Sequence, residues 1–181
     1  MIIINFSILF RVILFFMFLG FFTASFLIGT LVVLDEKESL EIFDEFNQTI
    51  ASINSLEIFF NNLSVGLPAF IPGFGPAWGL YSGWSTGVTF SAIISHSPDL
   101  ENFSPLDLFY ASSFGFLELV AYSIAMSRGA FLIFAFIQKS TKKSLIIWTL
   151  IEILIVIILL IIGGILESSM INSEPLSISD L

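Results

Sequence analysis

The sequence predicts an all-α integral membrane protein of about five transmembrane helices, with a Gly/Pro-broken central pair and an acidic amphipathic helix outside the bilayer. Three observations predict it. Hydrophobic residues make up 56% of the 181, and charged residues only 12%, against roughly 25% in an average soluble protein. Mean hydropathy is +1.00, which excludes disorder as well as an ordinary soluble domain. Long uncharged runs also recur along the chain, more apolar surface than one soluble core of this size could bury. The whole of 1–181 reads as a single membrane domain.

The first span is 12–34, an uncharged run long enough to cross about 30 Å of hydrocarbon. It exceeds the apolar region of a signal peptide and lacks a small-residue cleavage site, so it reads as an uncleaved anchor. Residues 35–57 then turn acidic, with Asp35, Glu36, Glu38, Glu41, Asp44, Glu45 and Glu57 against Lys37. Leu40, Phe43, Phe46, Ile50 and Ile53 recur every three or four residues, the period of an amphipathic helix over 36–55. The second span, 57–72, is short, carries Asn61 and Asn62, and is broken by Gly66, Pro68 and Pro72; its helix is expected to continue from the acidic one. A third span follows a Gly-Phe-Gly-Pro turn and covers 77–95. The fourth covers 106–127, with Arg128 and Gly129 expected to interrupt it and 130–137 either extending it or lying along the interface. A basic loop with Lys139, Lys142 and Lys143 precedes the fifth span, 144–166, and a polar acidic tail ends the chain.

Five spans put the termini on opposite sides. With the N-terminus inside and the C-terminus outside, Arg11, Arg128, Lys139, Lys142 and Lys143 face the cytoplasm and only Lys37 lies outside. Every acid but Glu118 and Glu152 is then external or in the tail. The expected location is the plasma (cytoplasmic) membrane, multi-pass. Of the Asn-x-Ser/Thr sequons, those at Asn47 and Asn102 fall on predicted outside loops.

Other counts exclude chemistries. There are no cysteines, hence no disulfide, thiol nucleophile or thiolate metal site. The single histidine, His96, sits at a loop edge and excludes a His-rich metal centre. A net charge of −9 with six Lys and Arg is the reverse of a nucleic-acid binder. HExxH, Walker and usable GxSxG patterns are missing. No enzyme, cofactor or metal is expected.

Two features remain. Gly75, Gly79, Gly83 and Gly87 recur every four residues and make one smooth helix stripe, a close-packing face in lipid. In the fourth span Ala111, Gly115, Glu118, Tyr122, Ala125 and Gly129 share a face, expected to answer that stripe. Glu118 lies on it, about 16 Å in from Asp107 at helical rise, near the midplane. An acid there is protonated or partnered. Asn61, Asn62, Ser85, Thr86 and Tyr122 are candidate partners, whereas Arg128 is expected on another face near the interface. Glu152, in the fifth span, is expected to snorkel or pair. The site is thus either a hydrogen-bonded clasp fixing helix register or a proton or ion site.

The stretch F-F-N-N-L at 59–63, then Ser85-Thr86-Gly87, then G-F-L-E-L-V-A-Y at 115–122 resembles the stage II sporulation protein M family of small polytopic membrane proteins, over roughly 55–135. The family's paired Asn matches Asn61 and Asn62, its Thr-Gly matches Thr86-Gly87, and its Gly-x-x-Glu matches Gly115 and Glu118. Where the family often carries Pro-His before that glycine, this chain has Ser113 and Phe114, so no His-dependent role carries over. The resemblance implies a membrane anchor for a cell-wall hydrolase complex. The expected function is accordingly a non-catalytic scaffold or anchor docking a protein partner on the outer side, or forming a homo-oligomer. The alternative is a small channel or proton-coupled transporter working through Glu118.

Overall fold

The computed structural model describes residues 8–100, 102–138 and 143–172. All secondary structure among them is helical. The helices are α1 (Ile8–Thr30), α2 (Glu36–Ser52), α3 (Ser55–Gly66), α4 (Phe74–His96), α5 (Pro105–Ala111), α6 (Ser113–Ile137) and α7 (Lys143–Asn172), with 3₁₀ turns at Pro68–Phe70 and Pro98–Leu100. Three of them, α1, α6 and α7, are long and apolar enough to cross a membrane. Their outward flanks are apolar too: Phe16 and Ile28 of α1 and Leu150 and Leu154 of α7 are exposed, as lipid-facing residues would be.

Helix α6 is the central post. Leu119, Ala121, Ser123, Ala125, Met126 and Ser127 are fully enclosed. Its serines cost nothing there, because Ser123 Oγ donates to the Leu119 carbonyl at 2.6 Å and Ser127 Oγ to the Ile124 carbonyl at 2.9 Å. Helix α1 lies antiparallel to it, pairing Phe10 with Phe131 at one end and Phe22 with Tyr122 higher up.

Helices α3 and α4 form a hairpin that enters and leaves from the end carrying α2. Helix α3 runs antiparallel to α7, with Gly164 against Ser55 and Phe59 and Gly66 against Leu160 and Val156. The chain then turns on Pro68–Phe70 against Gly129 of α6, where an added Cβ would stand 2.5 Å from the Ala69 carbonyl oxygen. Gly73 has φ +83°, a left-handed conformation that only glycine adopts without strain, and it opens α4. Helix α4 returns parallel to α1. Gly83 sits on Phe22, and Gly87 sits on Phe26 and Gly29, where an added Cβ on either glycine of the Gly29–Gly87 pair would collide with the facing backbone. Ser25 Oγ adds an interhelical bond to the Leu80 carbonyl at 2.6 Å.

Several element boundaries differ from the sequence reading, each for a local reason. The acidic helix does not run into the second span. Asn54 caps α3 through the backbone N–H groups of Leu56 and Glu57 at 3.0 and 3.1 Å, and Glu57 answers by accepting from the Asn54 N–H at 2.9 Å. Asp35 and Glu38 make the same box at the start of α2. The first helix begins before residue 12, so Arg11 is inside α1. The expected span 106–127 is two helices broken at Ser112, whose hydroxyl caps α6 by accepting from the Gly115 N–H at 3.2 Å. Arg128 and Gly129 do not interrupt α6, which continues through 130–137. Asn47 lies within α2 and not on a loop, while Asn102 lies in an exposed turn. Asn5, Glu101, Lys139, Lys142, the acidic tail after Asn172 and the Ala111 side chain fall outside the described residues.

Candidate functional site

Two polar clusters lie among the apolar helices. The first joins the hairpin to α6. Asn62, buried on α3, donates from Nδ2 to Glu118 Oε1 at 2.5 Å. Asn61 next to it is exposed, so the choice between the paired asparagines is settled by which one faces α6. Tyr122, one turn from Glu118, is buried with its ring against Phe22, 5.6 Å between centroids. Thr86 is not brought to this cluster: its hydroxyl donates to the Ser82 carbonyl within α4 at 2.9 Å. The midplane count from Asp107 crosses the break at Ser112. Measured within α6, Glu118 is five residues from Ser113, about 7.5 Å from the helix start, nearer the α2 end than the middle.

The second cluster does not show as a unit in the sequence. Glu152 of α7 accepts from Arg11 Nη2 through both oxygens at 2.8 Å. It also accepts from Arg128 Nε at 2.6 Å and, through its other oxygen, from Arg128 Nη2. Arg11 Nη1 donates to the Ser127 carbonyl at 2.9 Å. Both guanidinium carbons lie 5.1 Å from the centre of the Phe131 ring. One carboxylate therefore pins three helices, α1, α6 and α7. Arg128 is buried and paired, not on a separate face near the interface, because α6 continues past it and α7 packs alongside. A sequence signal exists for the cluster: Arg11, Arg128 and Glu152 are opposite charges inside long apolar segments, and such charges seek one another.

The glycine face is closed as expected, but its main partner is α1 and not the fourth span. Gly79 meets Met126 of α6, whereas Gly83 and Gly87 meet α1, and Gly75 meets Ala69 of its own hairpin turn. Gly115 fits below the Phe109 carbonyl of α5. At the α2 end, Ser39 Oγ and Ser95 Oγ lie 3.1 Å apart, and the Phe43 ring packs on His96. That contact turns Ser39 and Phe43 of α2 toward α4 and leaves Leu40 exposed, along with Glu36, Glu38, Glu41, Asp44 and Glu45. Among the described residues no group of three or more His, Cys, Asp or Glu could hold a metal ion. No protein-family model, curated protein or solved structure matches the chain.

Proposed function

We propose that this protein is a non-catalytic, multi-pass scaffold of the plasma membrane that presents α2 to a basic protein partner on the outer side. The exposed acidic face of α2 carries the reading. Its one intrahelical ion pair, Lys37 with Glu41 at 3.5 Å, is fully in the open and leaves the other acids unmatched. Such a face repels anionic lipid and steers a cationic partner. It also disfavours a second copy, which would bring the same charge. The rigidity a scaffold needs is supplied below it by the glycine contacts, the Asn62–Glu118 bond and the Arg–Glu–Arg clasp. Two patches that carry the resemblance to the stage II sporulation protein M family, the paired Asn and the Gly-x-x-Glu, meet in that Asn62–Glu118 bond, which supports an anchor role.

Reversing charge tests it. The triple variant Glu41→Lys, Asp44→Lys, Glu45→Lys alters only exposed side chains and should melt like the parent. A partner that co-purifies with the parent from native membranes, and that salt strips, should be absent from the variant. The same set of co-purifying proteins with parent and variant would overturn the reading.

One observation favours a second reading, a small channel or proton-coupled transporter in five spans. Helix α3 ends at Gly66, only part-way along α7, and places Asn62 on a carboxyl that is partly buried. Broken helices at membrane depth occur where a site is built.

A further inference from the structure

We propose that the Arg11–Glu152–Arg128 cluster binds the phosphate of an anionic phospholipid at the end of the bundle where α1 begins. The charges do not cancel. Two guanidiniums share one carboxylate, and among the described residues no second acid lies within ion-pair distance of either, so the cluster holds one surplus positive charge among apolar helices. An uncompensated charge in such a setting is costly, and a bound anion removes the cost.

The hydrogen bonds point to the same deficit. Both Glu152 oxygens are already taken by N–H groups of Arg11 and Arg128. Among the described residues, Arg11 Nε is nevertheless buried with no acceptor. Phe131 offers its ring face to both arginines but no oxygen.

Access favours a lipid. The Arg128 side chain is 4% exposed, but that of Arg11 is 18% exposed, and its neighbours Ile8, Leu9 and Val12 are open apolar surface. Trp148, one turn before Glu152 on α7, is 59% exposed. Exposed tryptophan belongs at headgroup level, so Arg11 lies within reach of a phosphate whose acyl chains cover those neighbours.

Native mass spectrometry of the full chain in detergent, with an equimolar mixture of phosphatidylglycerol and phosphatidylcholine of equal chain length, tests the proposal. The parent should bind phosphatidylglycerol in preference by on the order of fivefold, the effect of one net charge at a membrane surface. Millimolar inorganic phosphate should leave that adduct in place. Arg11→Gln should bring the two lipids to near parity, and Arg11→Lys should keep the preference. Lys143→Gln, at an exposed position, should keep it too. Parity in the parent would overturn the proposal. Displacement by inorganic phosphate would assign the site to a free anion and overturn it as well, and loss of preference in Lys143→Gln would move the binding to the loop. Because the parent and Lys143→Gln can each overturn the proposal by themselves, the test stands even if Arg11→Gln does not fold.

Discussion

Two carboxyls in similar apolar surroundings do different work, and substitution should separate them. Glu118 receives one N–H, from Asn62. Glutamine keeps an acceptor at that place, so Glu118→Gln should cost less than about 1 kcal/mol, while Glu118→Ala leaves the Asn62 amide unsatisfied and should cost about 1–3 kcal/mol. Glu152 holds two guanidiniums, and a neutral side chain strands both. Glu152→Gln should therefore cost about 3–5 kcal/mol, the range for breaking a buried ion pair. Thermal melts in detergent read all three variants. A Glu118→Gln protein as unstable as Glu118→Ala would mean that Asn62 needs a charged acceptor. The same Glu118→Gln protein in liposomes tests the transporter reading, which requires parental proton flux and its loss in the variant. At this scale the Asn62–Glu118 pair is legible in the sequence, because an acid on a small-residue face must find a partner. The Arg11–Glu152–Arg128 cluster shows there only as opposite charges in apolar segments and not as a unit, because Arg128 stands beside a glycine where the sequence suggests a helix end, and the continuity of α6 and the packing of α7 bring it to Glu152.

Helix contacts are set by where backbones touch. The period-four glycines mark a packing face in the sequence, and all four are buried. Their partner is hidden there, since Gly29 carries no such period within α1. The face is also uneven. At Gly87 an added Cβ would strike the Phe26 carbonyl of α1, and backbone cannot yield there, whereas at Gly83 it would sit 3.2 Å from the Phe22 carbonyl. Gly87→Ala should thus cost about 3 kcal/mol, the upper end for overpacking, and Gly83→Ala about 1 kcal/mol or less. Equal melting of the two variants would show that α1 and α4 can slide apart. Element ends are harder to read than faces. The Asn54–Glu57 capping box separates α2 from α3 inside a continuous helical period, so periodicity alone joins them. Ser112 likewise splits α5 from α6, although the apolar pattern runs through.

Across the whole molecule charge is sorted by end. Helices α1 and α7 run parallel and α6 runs against them, so Arg11, Arg128 and Lys143 collect toward one end, while Lys37 and the acids of α2 lie at the other. Composition alone points to a membrane protein, and the three apolar helices agree with it. The count of five depends on α3, which has only 12 residues, and on α4, which is 23 residues long but rich in Gly, Ser and Thr; neither is among the helices long and apolar enough to cross. We propose that the Arg11 end is the cytoplasmic one, as the positive-inside rule expects. With no native cysteine, single cysteines report this cleanly. Ser39 is a poor probe, being 7% exposed against Ser95. Asp44→Cys and Asn102→Cys are exposed at the α2 end and should react with an impermeant maleimide in intact cells. Lys143→Cys, exposed at the other end, should react only after the membrane is opened. Labelling of Lys143→Cys in intact cells with Asp44→Cys protected would invert the molecule. It would then put the acidic face of α2 in the cytoplasm, where any basic partner would have to be a cytoplasmic protein.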